Sequence, residues 1–301
     1  MKVLLIGFGG IGKRHYESLM NNRYIKVFIH DINTDLELPS KYKEQTVIID
    51  EDTLLKEKSF DLLILATNAN VRAEILDKLL SKIKFGKVII EKPVAQSIKE
   101  LKALKVLDQN IPIYVNFPQR YYPLYLDLKK MDITNNFKID INGNDWGMAC
   151  NLWHFVDLIE YITSAKLKEI FWSDIKWVPS KRPGFEEILG ECNIEFSNNN
   201  KLSLIQSDNK VIPGCSIRIN GSNDLNIDIE DYYFKSSSNK RFKTGDKVDL
   251  YQSELTLNYL DNENFILPRI SHIYNSTLVI LKSIMMIKYN KITENIKLPI
   301  S

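Results

Sequence analysis

Three cysteines in 301 residues, Cys150, Cys192 and Cys215, form no CxxC pair and are odd in number. A disulfide framework and a structural zinc site are therefore not expected, and a reducing compartment fits. The four histidines, His15, His30, His154 and His272, have no metal-ligand spacing such as HExxH, so no metal is expected. An excess of charge of one sign is also lacking. Lys and Arg number 40 against 38 Asp and Glu, a formal net charge of +2, and nearly every Lys-rich stretch also carries an acid. Neither nucleic acid nor an anionic membrane is an expected partner. No apolar run reaches the roughly 18 residues of a membrane helix; Lys282 and Lys288 interrupt the best candidate. Met1–Gly12 is apolar but lacks a small-residue cleavage site, so it is not read as a signal peptide. The expectation is a cytoplasmic protein, long enough for two domains.

What is present is a rhythm. Strand-like runs at Lys2–Ile6, Lys26–His30, Val47–Ile49, Asp61–Ala66, Lys87–Ile90 and Ile113–Asn116 alternate with helical stretches at Gly12–Met20, Val71–Ile83 and Ile98–Asp108. Strands alternating with helices imply right-handed crossovers and a parallel sheet. After about residue 120 the pattern changes. A strong helix at Met148–Ile162 precedes strand-like runs at Lys168–Val178, Glu187–Phe196, Lys201–Ser207, Ser216–Asn220 and Leu225–Ile229, separated by turns such as Ser197–Asn200 and Gly221–Asn223. This predicts an antiparallel sheet with helices on one face. The fold class is α/β: a Rossmann-type parallel-sheet domain over 1–120, then an α+β domain over 121–301 built on the antiparallel sheet. A last helix, 271–289, can pack back on the first domain.

Gly7-Phe8-Gly9-Gly10-Ile11-Gly12 is a GxGxxG element placed directly after an apolar strand and directly before a helix. Gly7 permits the tight turn, Gly9 lets the backbone approach a pyrophosphate, and Gly12 allows close helix–strand contact. The free N–H groups of the helix start then face the phosphates. Asp31 ends the second strand, about 20 residues on, where a carboxylate accepts hydrogen bonds from the adenosine ribose. Ile32 and Asn33 follow it, with no Arg to neutralise a 2′-phosphate, so NAD is preferred over NADP. Glu91-Lys92-Pro93 follows the fifth strand at the edge where open α/β sheets bind ligands. A Lys there stabilises a developing alkoxide or polarises a ketone.

The glycine element with Lys13-Arg14-His15, then Ala66-Thr67-Asn68, Glu91-Lys92-Pro93 and Val115-Asn116-Phe117-Pro118-Gln119-Arg120-Tyr121-Tyr122-Pro123, come in an order that resembles the Gfo/Idh/MocA family, relatives of glucose–fructose oxidoreductase and inositol dehydrogenase. The resemblance covers nearly the whole chain and implies a dinucleotide-binding Rossmann domain over 1–120 followed by an α+β domain on a large, mostly antiparallel open sheet. It implies that Thr67, Asn68, Glu91, Lys92 and Asn116 join Gly7 to Gly12 and Asp31 at the cofactor. It also implies association through the second sheet as a homodimer or homotetramer. The family's Asp-x-x-x-His-x-x-Asp helix is matched by Cys150 to Asp157, with His154 and Asp157 in place and Cys150 where many dehydrogenases carry Asp. Positions 150, 154 and 157 share one helix face.

His154 is the candidate acid/base, since its unperturbed pKa lies near neutrality. Lys92 is its partner. Arg120 can fork a substrate carboxylate or phosphate, or form an interdomain salt bridge. Asp157 can orient His154, touch a substrate hydroxyl, or lie on a plain helix surface. Asn151 can hydrogen-bond His154. Trp146 can stack on a sugar ring or sit in the core. The resulting expectation is NAD-dependent hydride transfer at a carbinol or keto carbon of a sugar or sugar derivative, as in surface-polysaccharide biosynthesis. The alternatives are an epimerase or eliminase that recycles tightly bound NAD, and a non-catalytic NAD- or sugar-binding partner protein.

Overall fold

The computed structural model describes residues 1–208, 214–222 and 224–300. Six parallel strands form the first sheet: β1 (Lys2–Ile6), β2 (Lys26–His30), β3 (Thr46–Ile48), β4 (Ser59–Leu65), β5 (Lys84–Ile90) and β6 (Ile113–Val115), in the order β3-β2-β1-β4-β5-β6. The central strands read as continuous apolar runs because both faces are covered: Val3, Leu4, Leu5, Leu62, Leu63, Ile64, Val88, Ile89 and Ile90 are fully buried. The connecting helices are α1 (Gly10–Leu19), the single turn α2 (Glu51–Leu54), α3 (Ala69–Leu80) and α4 (Ile98–Asn110).

One consequence of the register decides where chemistry can occur. Ile6 pairs with His30 and with Leu65, Leu65 with Ile90, and Ile90 with Val115. The residues that follow these strands, Asp31, Gly7, Ala66, Glu91 and Asn116, therefore leave one edge of the sheet together. The chain reverses its direction of travel across the sheet between β1 and β4, which makes the gap beside Gly7 the switch point of the topology.

The second sheet is built from β7 (Lys138–Asn144), β8 (Leu167–Pro179), β9 (Glu186–Phe196), β10 (Lys201–Ser207), β11 (Cys215–Gly221), β12 (Leu225–Glu230) and β13 (Tyr233–Ser237), ordered β13-β12-β11-β7-β10-β9-β8. Its pairs are antiparallel except β7 with β10, which is parallel. The alternation of buried and open positions along β10 and β12 leaves one face polar. Helices α5 (Pro123–Lys130) and α6 (Met148–Thr163) belong to this half, and α6 packs on β9 and β10. Strands β7 and β13 and helix α5 were not expected from the sequence. The turn expected at Gly221–Asn223 includes Asn223, which lies outside the described residues.

The compact units do not follow a single division of the chain at residue 120. The first comprises Met1–Ala95, Lys99–Pro118 and Leu250–Tyr274; the second comprises Gln96–Ile98, Gln119–Asp249 and Asn275–Ser301. The returning segment carries the short helix α7 (Gln252–Leu255). The last helix, α8 (Ile270–Tyr289), is long and apolar enough by composition to cross a membrane, despite Lys282 and Lys288. Within the second unit it is held by Ser276 Oγ to Glu160 (2.9 Å), Trp172 Nε1 to Ser283 Oγ (2.7 Å) and an ion pair of Lys288 with Glu186. Ile280, Leu281, Ile284 and Met285 are fully buried there.

Candidate active site

The glycine turn after β1 separates what the fold itself requires from what it does not. Gly7 has φ +91, and a Cβ on it would lie 2.9 Å from the Ala66 carbonyl carbon. A Cβ on Gly12 would lie 2.0 Å from the Gly7 oxygen. Both positions need glycine to bring β1, α1 and the strand next door together. Gly9 and Gly10 are different: a Cβ at either meets nothing within 4 Å. Nothing in the described protein fills that space, so it is open to a ligand. Helix α1 starts there with Gly9 as its N-cap, no side-chain cap and no acid in its first turn. Its leading N–H groups remain available to an anion. Asp31 ties the turn to the end of β2, accepting from Phe8 N–H at 2.5 Å and Asn33 N–H at 2.8 Å. Each carboxylate oxygen keeps a second lone pair for a further donor. Glycine turn, open cradle, uncapped helix and acid fit a dinucleotide.

Across the same edge, Glu91 is buried and its carboxylate joins a hydrogen-bonded network. His15 Nε2 donates to Glu91 Oε1 at 2.8 Å, and Asn116 Nδ2 donates to the same oxygen. Asn116 also donates to Gln252 Oε1 at 2.9 Å and accepts from the Tyr259 hydroxyl at 2.5 Å, while His15 Nδ1 meets Thr256 Oγ1 at 2.8 Å. Burial alone raises the Glu91 pKa. The hydrogen bond and charge of His15, with Asn116 and the Arg72 charge, outweigh it and hold the carboxyl below its usual range. Glu91 and Asn116, assigned to the cofactor by family resemblance, thus direct these side-chain atoms into the first unit's own interior. Lys92, the next residue, is half-buried and precedes Pro93 through a cis peptide bond. Thr67 and Asn68 lie after β4, where Asn68 is the N-cap of α3.

Sequence reading assigned no role to His15, Arg72, Gln252, Thr256 or Tyr259. His15 offered a signal in its position just after Gly12. The three residues from the returning segment offered none, because only the fold brings them beside Glu91.

In the second unit, α6 presents Cys150 and His154 as half-buried and Asp157 as 3% exposed. Its start is fixed by Gly147 in the left-handed region, φ +78, and by side chains from the sheet. Gln206 Oε1 accepts from Gly147 and Met148 N–H at 2.7 and 2.9 Å, and Glu187 Oε2 accepts from Ala149 N–H at 2.8 Å. Asp157 receives both arms of a bidentate ion pair, Arg120 Nε at 2.8 Å and Nη2 at 2.7 Å. The Arg120 guanidinium also lies 4.7 Å from the Tyr161 ring centre. Burial raises the Asp157 pKa and Arg120 opposes the rise. The fork offered to a substrate anion by the sequence reading is engaged here by Asp157, within one unit. Asn151 donates to Trp146 O at 2.6 Å, and Trp146 donates to Ile205 O at 2.9 Å and packs edge-on against Phe155. Lys92 belongs to the first unit and His154 to the second.

Residues 1–110 match the family model described as an oxidoreductase family with an NAD-binding Rossmann fold. No curated protein matches the chain at the level of sequence. Solved structures with the same fold include an oxidoreductase from Agrobacterium radiobacter in complex with NAD+, L-tartaric acid and magnesium (TM-score 0.69, 14% identity, 98% of each chain). A putative oxidoreductase from Thermotoga maritima is similar over 97% of this chain and 99% of its own (0.66, 17%). UDP-N-acetylglucosamine 3-dehydrogenase from Acidithiobacillus ferrooxidans is similar over 93% and 95% (0.66, 13%). The first 110 residues thus match the NAD-binding Rossmann domain of the Gfo/Idh/MocA oxidoreductase family, and the two-sheet fold of the chain is that of the solved structures above along nearly its whole length.

Proposed function

We propose that the protein is an NAD-dependent oxidoreductase acting on a carbinol or keto carbon of a sugar or sugar derivative. The open space at Gly9, beside an uncapped helix start and on the sheet edge that Lys92 shares, carries this reading. Bound there, the nicotinamide supplies the hydride acceptor or donor. In the oxidation direction the Lys92 Nζ donates a hydrogen bond to the carbinol oxygen and stabilises its growing negative charge. His154, in the second unit, is the acid/base candidate for taking the hydroxyl proton and returning it in reduction. Cys150 stands where a carboxylate would charge the helix face, so proton handling falls to His154 without an acid at that position. The Arg120–Asp157 pair anchors the inner end of the same face, one helical turn below His154. Sugar chemistry is supported by the substrate named for the Acidithiobacillus neighbour.

The test is titration of the purified protein with NADH, followed by a panel of nucleotide sugars beginning with UDP-N-acetylglucosamine, with NADH formation as the signal. Absence of NADH binding would sink the proposal. Gly9→Val separates cofactor from fold. With nothing within 4 Å of the new Cβ, the stability loss is expected to be no more than the about 1 kcal/mol of a poorer N-cap, while NAD binding weakens by about tenfold or more. Equal NAD affinity in the variant would move the cofactor elsewhere.

NAD over NADP is part of the same reading. A 2′-phosphate would face the Asp31 carboxylate, with exposed Ile32 and Asn33 beside it. Asp31→Asn removes that charge and weakens the tie to Phe8. The ratio of NAD to NADP affinity is expected to drop by about tenfold, with NAD itself bound less well. An unchanged ratio in paired titrations would contradict the role of Asp31.

A further inference from the structure

We propose that Arg72 is the positioning residue for Lys92, an inference that rests on the role given to Lys92 above. Arg72 lies on α3 and is 2% exposed. Its guanidinium donates to backbone carbonyls in two separate loops. Nε and Nη2 reach Thr67 O at 3.1 and 2.6 Å. Nη1 reaches Glu91 O and, at 2.5 Å, Pro93 O. The last two carbonyls belong to the residues immediately before and after Lys92.

Only arginine suits this arrangement. Its donors are spread across a rigid plane and stay charged at any working pH, whereas the three donors of a lysine radiate from one atom. Burying the guanidinium is costly unless its donors are matched and its charge is opposed. The carbonyls match the donors, and the neighbouring Glu91 carboxylate opposes the charge. The bond to Glu91 O holds the peptide plane that enters Lys92, and the bond to Pro93 O pins the chain one plane beyond it, where the proline ring already limits φ; little freedom is left to the direction of the Lys92 Cα–Cβ bond. The Lys92 side chain therefore leaves the backbone along a set line. The Thr67 contacts fasten that line to the loop after β4, so the loops after β4 and β5 move as one piece. An ammonium that must meet a developing charge gains from this, since a displacement of about 1 Å can cost about a hundredfold in rate.

The test uses the full-length protein, with lysines reductively methylated with carbon-13 and the Lys92 signal assigned by its loss in Lys92→Arg. Addition of NAD is expected to shift that signal in wild type. In Arg72→Met the shift is expected to fall by about tenfold while NADH fluorescence still reports binding. Amide exchange in the unliganded variant is expected to quicken by about tenfold at residues 91–94 and 66–68 and not in β1. A full NAD-induced shift in Arg72→Met, or unchanged exchange at 91–94, overturns the inference. If Arg72→Met does not fold, Arg72→Lys decides by the same readings, because it keeps the charge and loses the span. A wild-type Lys92 signal indifferent to NAD would instead remove Lys92 from the nicotinamide, and the functional reading would fail first.

Discussion

Lys92→Ala is expected to lower kcat by about a hundredfold or more while changing the Kd for NAD by less than about threefold. The asymmetry follows from where the residue sits. NAD contacts are assigned to the glycine turn after β1, the start of α1 and Asp31, whereas Lys92 follows β5. In the proposed reaction the Lys92 ammonium acts on the substrate oxygen, whose negative charge is larger in the transition state than in the bound alcohol. Removing one such donor from a preorganised site costs about 10²–10³ in rate. Because the interaction is made chiefly in the transition state, the loss should fall on kcat and kcat/KM together. Steady-state kinetics on the sugar identified by the panel, beside an NADH titration, make the comparison. Turnover near the wild-type level would remove Lys92 from the chemistry.

The second large effect is one of stability. Arg120→Ala is expected to destabilise the second unit by about 3–5 kcal/mol at neutral pH, the usual result of leaving one member of a buried ion pair alone. The pair is well buried, with side-chain exposures of 14% for Arg120 and 3% for Asp157. The cost should depend on pH in a definite direction. Burial raises the Asp157 pKa, and the two opposing causes both come from Arg120. In the variant the folded-state pKa therefore rises further above the unfolded value. The native variant holds a proton that the unfolded chain releases, so stability is lost as pH rises from the ordinary carboxylate value through the raised one. Urea unfolding should thus show the deficit narrowing in mild acid. Arg120→Met with Asp157→Leu should recover most of the loss, since an apolar pair of similar volume needs no charge compensation. A deficit under about 1 kcal/mol at neutral pH would rank the bridge with weak surface pairs.

The parallel sheet was legible from the sequence because its signals are local. Lys2–Ile6 and Lys26–His30 are short apolar runs whose ends coincide with the observed strands, and the GxGxxG turn lies between the first of them and a helix, as expected. Strand β7 was not legible. Lys138–Asn144 carries only Ile139 and Ile141 among Asp, Asn and Gly, residues of low strand preference. It forms because β10 and β11 pair with it on both sides, a stabilisation that no local window contains. The site divides in the same way. Lys92 and His154 are proposed from motif context, whereas Arg72 looks like any helix arginine until its carbonyl partners are in place.

By itself the sequence determined the glycine turn and the acid at the end of β2, because steric demand and residue chemistry are properties of a few neighbouring positions. Tertiary structure alone decided how those groups are held. Thr256, Gln252 and Tyr259 lie 241 residues or fewer from the side chains they meet, Arg120 pairs with Asp157 across 37, and Arg72 reaches Pro93 across 21. Hydrogen bonds form by distance in space, and separations of that size carry no trace in the chain until folding closes them.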